Sequence, residues 1–151
     1  MEENNFRKAQ VREKLFRLDH LRRDLLKPGF LELGLTLGQG QPRILKYLNE
    51  KEPRSQKELA QLCRMDVTTI SRTLDRMAET GLIERQINPE CRRSCNILLT
   101  RKGEETAQAV QESFDSLDEM LCRGFSEDEL EQLSRWLDRL ADNLEPHKEQ
   151  K

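Results

Sequence analysis

The sequence predicts a mainly α-helical fold with one small β-hairpin, and two observations carry that prediction. Charged residues make up 36% of the 151-residue chain and aromatic residues only 5%, a balance typical of helical proteins rather than β-sandwiches. Most apolar residues recur at helical spacing, whereas the segment after Gly81 changes to a strand-like pattern. The length fits a single domain over residues 1–151.

The N-terminal half opens with an amphipathic segment from Phe6 to Leu26. Lys27-Pro28-Gly29 is expected to end this first helix, because proline and glycine interrupt helices. Thr36 is expected to cap a second helix, in which Pro42 is tolerable only close to the start.

Two short helices follow with a tight connection between them. Ser55-Gln56-Lys57-Glu58 has the form of a capping box, so a third helix should begin there and run to Cys63. A fourth helix is predicted from Val67 to Thr80, with Gly81 as its C-terminal stop. Two helices joined by about three residues form a helix-turn-helix.

The remaining elements are a hairpin and two helices. Leu82 to Ile87 and Asn96 to Leu99 read as two strands around a polar, basic turn. Helical patterns then run from Arg101 to Met120 and from Ser126 to Leu144, and the second opens with another capping box. The fold predicted from these elements is a winged helix-turn-helix.

Charge divides unevenly along the chain. Residues 54–102, which hold the helix-turn-helix and the hairpin, carry 10 basic and 6 acidic residues. Residues 103–151 carry 5 basic and 14 acidic residues. A protein that is acidic overall can bind DNA when its positive charge is gathered on one face, so the net charge of −2 does not exclude nucleic acid.

The fourth helix presents the residue types that read the major groove. Its apolar stripe leaves short hydroxyls and arginines on the other side, where hydroxyls can meet phosphates or base edges and Arg72 can reach the acceptors of a guanine. The predicted major-groove contacts are Thr68, Thr69, Ser71 and Arg72, and the predicted phosphate contacts are Arg54, Ser55, Gln56 and Arg76. Arg92 and Arg93 at the hairpin tip are predicted to enter the minor groove, whose negative potential attracts arginine.

The cysteines suggest neither a disulfide framework nor a zinc site. No export signal precedes them, and the two histidines lie far from the Cys91/Cys95 pair. Cys63 and Cys122 are interpreted as packing residues. Cys91 and Cys95 lie in an arginine-rich loop that favours the thiolate, so oxidant sensing through them stands as an alternative to incidental thiols.

Other classes of function find little support in the sequence. No nucleophile, base and acid lie in a catalytic arrangement, and no glycine-rich phosphate loop or metal cluster appears. We therefore expect no enzyme activity, no cofactor and no metal. The absence of an apolar run long enough to span a membrane, and of a signal peptide, predicts a cytoplasmic protein.

Several motifs together resemble the MarR (multiple antibiotic resistance regulator) family over nearly the whole chain. They include Glu58-Leu59-Ala60, Thr69 to Met77, Gly81-Leu82-Ile83-Glu84-Arg85, Arg92-Arg93 and Leu99-Thr100-Arg101-Lys102-Gly103. The resemblance implies a homodimer that binds double-stranded DNA at a pseudo-palindromic operator, as a repressor in the first interpretation. It also implies a small phenolic or anionic effector that relieves repression.

The resemblance further divides the chain into functional parts. Residues 31–103 would form the winged helix lobe, and residues 1–30 and 104–146 would form the dimerisation helices. One departure concerns the wing, where Cys91 stands in place of the family's usual Asp before Arg92 and Arg93. A winged helix module that binds another protein instead of DNA remains the alternative from another class.

Overall fold

The structure, a computed structural model, describes residues 1–36, 38 and 40–146, and for Arg92 the backbone alone. The mainly helical class with a small sheet is confirmed. In chain order the elements are α1 (Glu2–Glu32), α2 (Gln41–Glu50), β1 (Arg54–Ser55), α3 (Gln56–Leu62), α4 (Val67–Glu79), β2 (Ile83–Asn88), β3 (Cys91–Leu99), α5 (Arg101–Leu121) and α6 (Glu127–Leu144).

The first helix does not end at Lys27-Pro28-Gly29, and that prediction is wrong. Helix α1 continues through Pro28 to Glu32. Leu26 and Phe30, on either side of the proline, are the buried residues of this helix, and their packing outweighs the roughly 3 kcal/mol that a proline costs inside a helix. Just after the helix, Gly34 reverses the chain with a φ of 74°, and the N–H of Leu35 donates to the carbonyl of Phe30.

The start of the second helix also differs from the prediction. Thr36 does not cap it, because α2 begins at Gln41 with Gly40 as its N-cap. The backbone N–H of Thr36 instead donates to the side-chain Oε1 of Gln41 at 3.3 Å. Pro42 lies in the first turn, as the sequence required, where its missing N–H has no intrahelical partner to lose.

The helix-turn-helix is confirmed at both of its helices. The hydroxyl of Ser55 accepts the N–H of Glu58 at 3.1 Å and starts α3, while Gly81 follows the end of α4 with a φ of 78°. The sequence interpretation missed the cap of α4, which is Asp66: its carboxylate accepts the N–H of Thr69 at 2.7 Å. A capped start fixes the direction in which α4 leaves the turn.

The sheet is larger than the predicted hairpin. It has three antiparallel strands in the order β1-β3-β2, and the two-residue strand β1 pairs Arg54 with Ile97 and Ser55 with Asn96. Strand β3 begins at Cys91, whereas the sequence placed its start at Asn96. The missed strand β1 and the late predicted start of β3 have the same cause. Both segments are held in the sheet by backbone pairing, and their polar residues lack the apolar alternation from which strands are predicted.

The core lies in the first of two compact units, residues Met1–Leu117. Fully buried side chains from α2, α3, α4, β3 and α5 fill it, among them Leu45, Leu59, Leu74, Ile97 and Val110. Helix α5 approaches the sheet closely at Gly103, where a β-carbon would overlap the carbonyl oxygen of Leu82. Glycine is therefore required at this contact.

The second unit begins at Asp118 and contains α6. Its predicted capping box is confirmed, because Ser126 and Glu129 each accept the other's backbone N–H at 3.1 Å. No residue of α6 is buried within the chain. Among the described helices, none is both long enough and apolar enough to cross a membrane.

Candidate nucleic-acid interface

One face of α4 is packed into the core, and this fixes which residues the opposite face presents. Ile70, Leu74 and Met77 are buried with at most 1% of their surface exposed. Thr68, Arg72 and Arg76 follow one another at four-residue intervals on the solvent side and are exposed. The structure thus places three of the predicted DNA contacts along one exposed line of α4.

Thr69 belongs to the cap of the helix as much as to its exposed face. Its backbone N–H and hydroxyl both hydrogen-bond to the Asp66 carboxylate, and the backbone bond is the main cause of a lowered pKa at Asp66. The Arg72 charge lowers the pKa of Asp66 further. Asp66 is therefore ionised at neutral pH and holds Thr69 at the entrance of the helix.

Four predicted contacts, Arg54, Ser55, Gln56 and Ser71, are half-buried, whereas the other predicted contacts whose side chains the structure describes are exposed. Ser71 is half-buried beside the apolar stripe. The Arg54 side chain is 14% exposed, its Nε donates to the Tyr47 carbonyl at 2.9 Å, and its guanidinium lies 3.9 Å from a Glu58 carboxylate oxygen. Arg54 thus joins α2, β1 and α3 through its own hydrogen bond and ion pair.

A groove of about 1070 Å³ brings the helix-turn-helix and the wing together. Its lining combines the start of α3, the start of α4 and the tip of the hairpin, and includes Ser55, Gln56, Lys57, Asp66, Val67, Arg93, Ser94 and Cys95. Two predicted phosphate contacts and one predicted wing contact therefore face a common space. Sequence reasoning missed Lys57, although its place in the first turn of a capped helix was the available signal.

The wing has an irregular tip. Asn88 and Cys91 face each other across the Pro89-Glu90 turn, and the Asn88 side chain accepts the N–H of Glu90 at 2.9 Å. The next pair is Ile87 with Cys95, so residues 92–94 protrude from the ladder as a bulge. Arg93 is exposed there, whereas the side chain of Arg92 lies outside what the structure describes.

The wing is joined to the fourth helix by an ion pair. Nη1 of Arg85 on β2 lies 2.7 Å from Oδ1 of Asp75 on α4. Asp75 is 58% exposed and Arg85 29%, so solvent screens the pair and its strength is modest. The pair nevertheless ties the hairpin to the helix whose outer face carries Arg72.

Cys91 stands where the resemblance expects a carboxylate. Its pKa is lowered first by a hydrogen bond from the Arg93 N–H and then by the Ser94 hydroxyl. Among the described side chains, Glu90 forms no ion pair with Arg93. The Ser94 hydroxyl also donates to the Cys91 carbonyl at 3.3 Å, which links these two residues within the bulge.

A second cavity, of about 620 Å³, lies among α1, the start of α2 and α5 within the first unit. Leu26, Phe30, Pro42 and Phe114 give it an apolar wall, in which the two phenylalanine rings meet edge to face at 5.7 Å. Basic residues also line it: Arg22, Arg23, Lys27 and Arg43. Within the described part of the chain, no group of histidine, cysteine and carboxylate side chains could hold a metal ion.

Comparison with known proteins assigns the family. A family model described as "MarR family" matches residues 33–94, which run from the end of α1 to the wing bulge. The HTH-type transcriptional regulator BilQ of Clostridium symbiosum is 31% identical over 101 residues, covering 67% of this chain and 70% of BilQ. The predicted resemblance is confirmed.

Two further proteins are similar to this chain. The HTH-type transcriptional repressor IacR of Pseudomonas putida is 29% identical over 103 residues, covering 68% of this chain and 62% of IacR. The crystal structure of an S. aureus MepR-DNA complex superposes with a TM-score of 0.79 at 25% identity, covering 87% of this chain and 97% of MepR.

Proposed function

The chain belongs to the MarR family of winged helix DNA-binding transcription regulators, and from that premise we propose that it is a homodimeric repressor of a pseudo-palindromic operator. The observation that carries the proposal is the common groove, in which the starts of α3 and α4 face Arg93 of the wing. A repressor is favoured over an activator by the name of its relative IacR. Because its target is duplex DNA, we place its action in the cytoplasm, without catalysis or a cofactor.

The exposed line of α4 would read the major groove. Thr68 and Arg72 project from one face, and an arginine can bind both acceptors of a guanine. Thr69 and Ser71 would contact the DNA closer to its sugar-phosphate backbone, because Thr69 is held by the Asp66 cap and Ser71 is half-buried.

The edges of the interface would hold phosphates and the minor groove. Ser55, Gln56, Lys57 and Arg76 would bind phosphates at the ends of α3 and α4, and Arg92 and Arg93 would enter the minor groove. For Arg54, whose guanidinium is engaged with Tyr47 and Glu58, we propose a positioning role at the start of α3.

A dimer is supported by apolar surface on the terminal helices. Leu133, Trp136, Leu137, Leu140 and Leu144 line one side of α6, and each exposes 38% or more of its surface. Helix α1 also exposes apolar side chains, among them Phe6, Phe16, Leu18 and Leu21, but these are distributed around the helix rather than along one side. The apolar stripe of α6 is the kind of contiguous surface that marks a protein interface, and a second copy would supply the matching stripe.

The cavity among α1, α2 and α5 is proposed as the effector site. Its apolar wall suits an aromatic ring, and Lys27 and Arg43, which form no ion pair with a described carboxylate, suit an anionic group. A hydroxybenzoate is a suitable probe. It should release the protein from DNA, and Lys27→Ala should weaken that release while Lys51→Ala, a basic change outside the cavity, should not.

The decisive experiment is selection of binding sites from a random pool of duplexes, followed by fluorescence anisotropy in a salt series. We expect a two-fold symmetric consensus and affinity that falls steeply with salt. Arg72→Ala should cost about 1–3 kcal/mol and relax the sequence preference, whereas Lys57→Ala should weaken all duplexes alike and reduce the salt slope.

The same experiment distinguishes DNA binding from the alternative function, binding of a protein partner. A winged helix module that binds a protein partner would enrich no consensus, and Arg72→Ala would leave its behaviour on DNA unchanged. Glu105→Gln, an exposed change on α5, is a matched control. Enrichment of a consensus without two-fold symmetry would contradict the homodimer but keep DNA binding.

A further inference from the structure

The three-residue bulge of the wing changes the spacing of two cysteines. Cys91 and Cys95 are four residues apart, and in a regular strand that separation would be roughly 13 Å. Here they pair with Asn88 and Ile87, which are consecutive residues of β2. The backbone of residues 92–94 loops out between them, so the two cysteines lie about one residue step apart across the ladder.

That arrangement approaches the spacing of a disulfide. Consecutive α-carbons are about 3.8 Å apart, and disulfide-bonded cysteines have α-carbons roughly 4.4–6.8 Å apart. Both thiols are free in this structure. Because Ile87 and Asn88 are neighbours on one strand, their partners lean toward opposite faces, and the two sulfurs meet only if the bulge shifts.

The two ends of the bulge differ in exposure. Cys91 is exposed, and hydrogen bonds from the Arg93 N–H and the Ser94 hydroxyl lower its pKa, so a larger fraction is thiolate at neutral pH. Cys95 is half-buried and lines the groove. By contrast, burial raises the pKa of Cys63 to about 11, which keeps that thiol protonated. The exposed Cys91 is thus suited to react first with an oxidant, and Cys95 is suited to attack the oxidised Cys91.

We propose that Cys91 and Cys95 are a redox pair that closes into a disulfide across the wing bulge when a hydroperoxide reacts with Cys91. The chemical part rests on the two cysteines alone. Its effect on DNA binding rests on the proposed function, because it requires that the wing contact DNA.

The reaction balances in two steps. The Cys91 thiolate attacks one oxygen of the hydroperoxide, the O–O bond breaks, and the leaving alkoxide or hydroxide takes a proton to become an alcohol or water. This forms a sulfenic acid on Cys91. The Cys95 sulfur then attacks the Cys91 sulfur, the S–O bond breaks, and water leaves with the thiol proton. Two electrons pass from the thiols to the peroxide, and a dithiol such as reduced thioredoxin reverses the change.

Closure would alter the face that the wing presents. The ring would enclose Arg92, Arg93 and Ser94, and the shift needed to bring the sulfurs together would move Arg93 relative to Ser55 and Gln56, with which it lines the groove. The Asn88 side chain, which donates to the Ser94 hydroxyl at 3.4 Å, would lose that contact. Oxidation is therefore expected to weaken DNA binding about tenfold, the loss expected for one well-placed arginine.

The chemistry is tested without DNA. The full-length protein is treated with hydrogen peroxide, blocked with iodoacetamide and digested with trypsin, which cuts after Arg92 and Arg93 inside the bulge. A disulfide would hold the peptide ending at Arg92 to the peptide beginning at Ser94. That linked pair supports the proposal, and its absence, or sulfinic acid on Cys91 without a link, would overturn it. Links between cysteines of different chains, seen on non-reducing gels, would also overturn it.

The functional part is tested on the selected duplex. Wild type and the matched control Cys122→Ser should lose about tenfold in affinity with peroxide and regain it with thioredoxin, whereas Cys91→Ser and Cys95→Ser should bind equally well in both states. Linked peptides with unchanged binding would overturn the switch and leave the proposed function intact. Absence of binding by the reduced protein would instead count against the proposed function.

Discussion

Helices α4 and α6 have the same kind of amphipathic sequence, but the apolar side of α4 is buried within the chain and that of α6 is exposed. Ile70, Leu74 and Met77 of α4 are buried in the lobe, while Leu137 and its neighbours on α6 are exposed. An apolar stripe shows that a helix packs against a partner surface, but it does not show whether that surface belongs to the same chain or to another one. For α4 that surface lies in its own chain, and for α6 we propose a second copy.

The largest expected effect is in the core beneath α4. Leu74→Ala removes a fully buried side chain and should lower the free energy of unfolding by about 2–5 kcal/mol. Urea denaturation followed by circular dichroism measures it. The loss should be the same at all protein concentrations, whereas a concentration-dependent loss would mean that the lobe, too, depends on its partner.

The next effect is at α6 and sharpens the contrast. Leu137→Glu places a charge in the exposed apolar stripe and should weaken dimerisation by about 2 kcal/mol or more, as expected at the centre of an interface. Sedimentation velocity measures the dimer, and Trp136, the single tryptophan, should shift its emission to the red as the dimer dissociates. Asp138→Asn, on a polar position of the same helix, is the control. A monomeric wild type would remove the proposed difference between the helices.

A smaller effect is expected at the link between α4 and the wing. Asp75→Asn breaks the ion pair with Arg85, and because both side chains are partly exposed the loss of stability should stay below about 1 kcal/mol and fall with salt. DNA affinity should fall more than stability does, since the wing loses its tie to α4. Equal effects of Asp75→Asn and the exposed control Glu79→Gln would show that the pair does not position the wing.

The smallest effect is at the cap of α4 and depends on pH. The pKa of Asp66 is lowered in the folded state by its bond from Thr69, so its stabilising contribution is present above the unfolded pKa of about 3.9 and is lost as the pH falls through the lower, folded value. Asp66→Asn should therefore lower the Tm slightly at neutral pH and narrow the gap to wild type on acidification. A gap that widens on acidification would contradict this sign.

The local signals of the sequence predicted much of the candidate site. The cap at Ser55, the stop at Gly81 and the stripe of α4 are short-range features, and they placed Thr68 and Arg72 on an exposed face. The predictions failed where long-range contacts decide. Burial of Phe30 carried α1 past Pro28, and pairing with β3 created strand β1 from two polar residues.

By itself, the sequence determined the six helices that the structure describes, the two strands of the hairpin, the helix-turn-helix and the family, because caps, periodicity and motifs depend on residues that are close together in the chain. Tertiary structure alone decided three further points: that Arg54 is held by Tyr47 and Glu58, that Lys57 and Arg93 face one groove, and that Cys91 and Cys95 flank a bulge. These depend on the register of strands and on the packing of helices distant in the chain. Contacts between residues that are distant in the chain form only when the strands pair and the helices pack around the core.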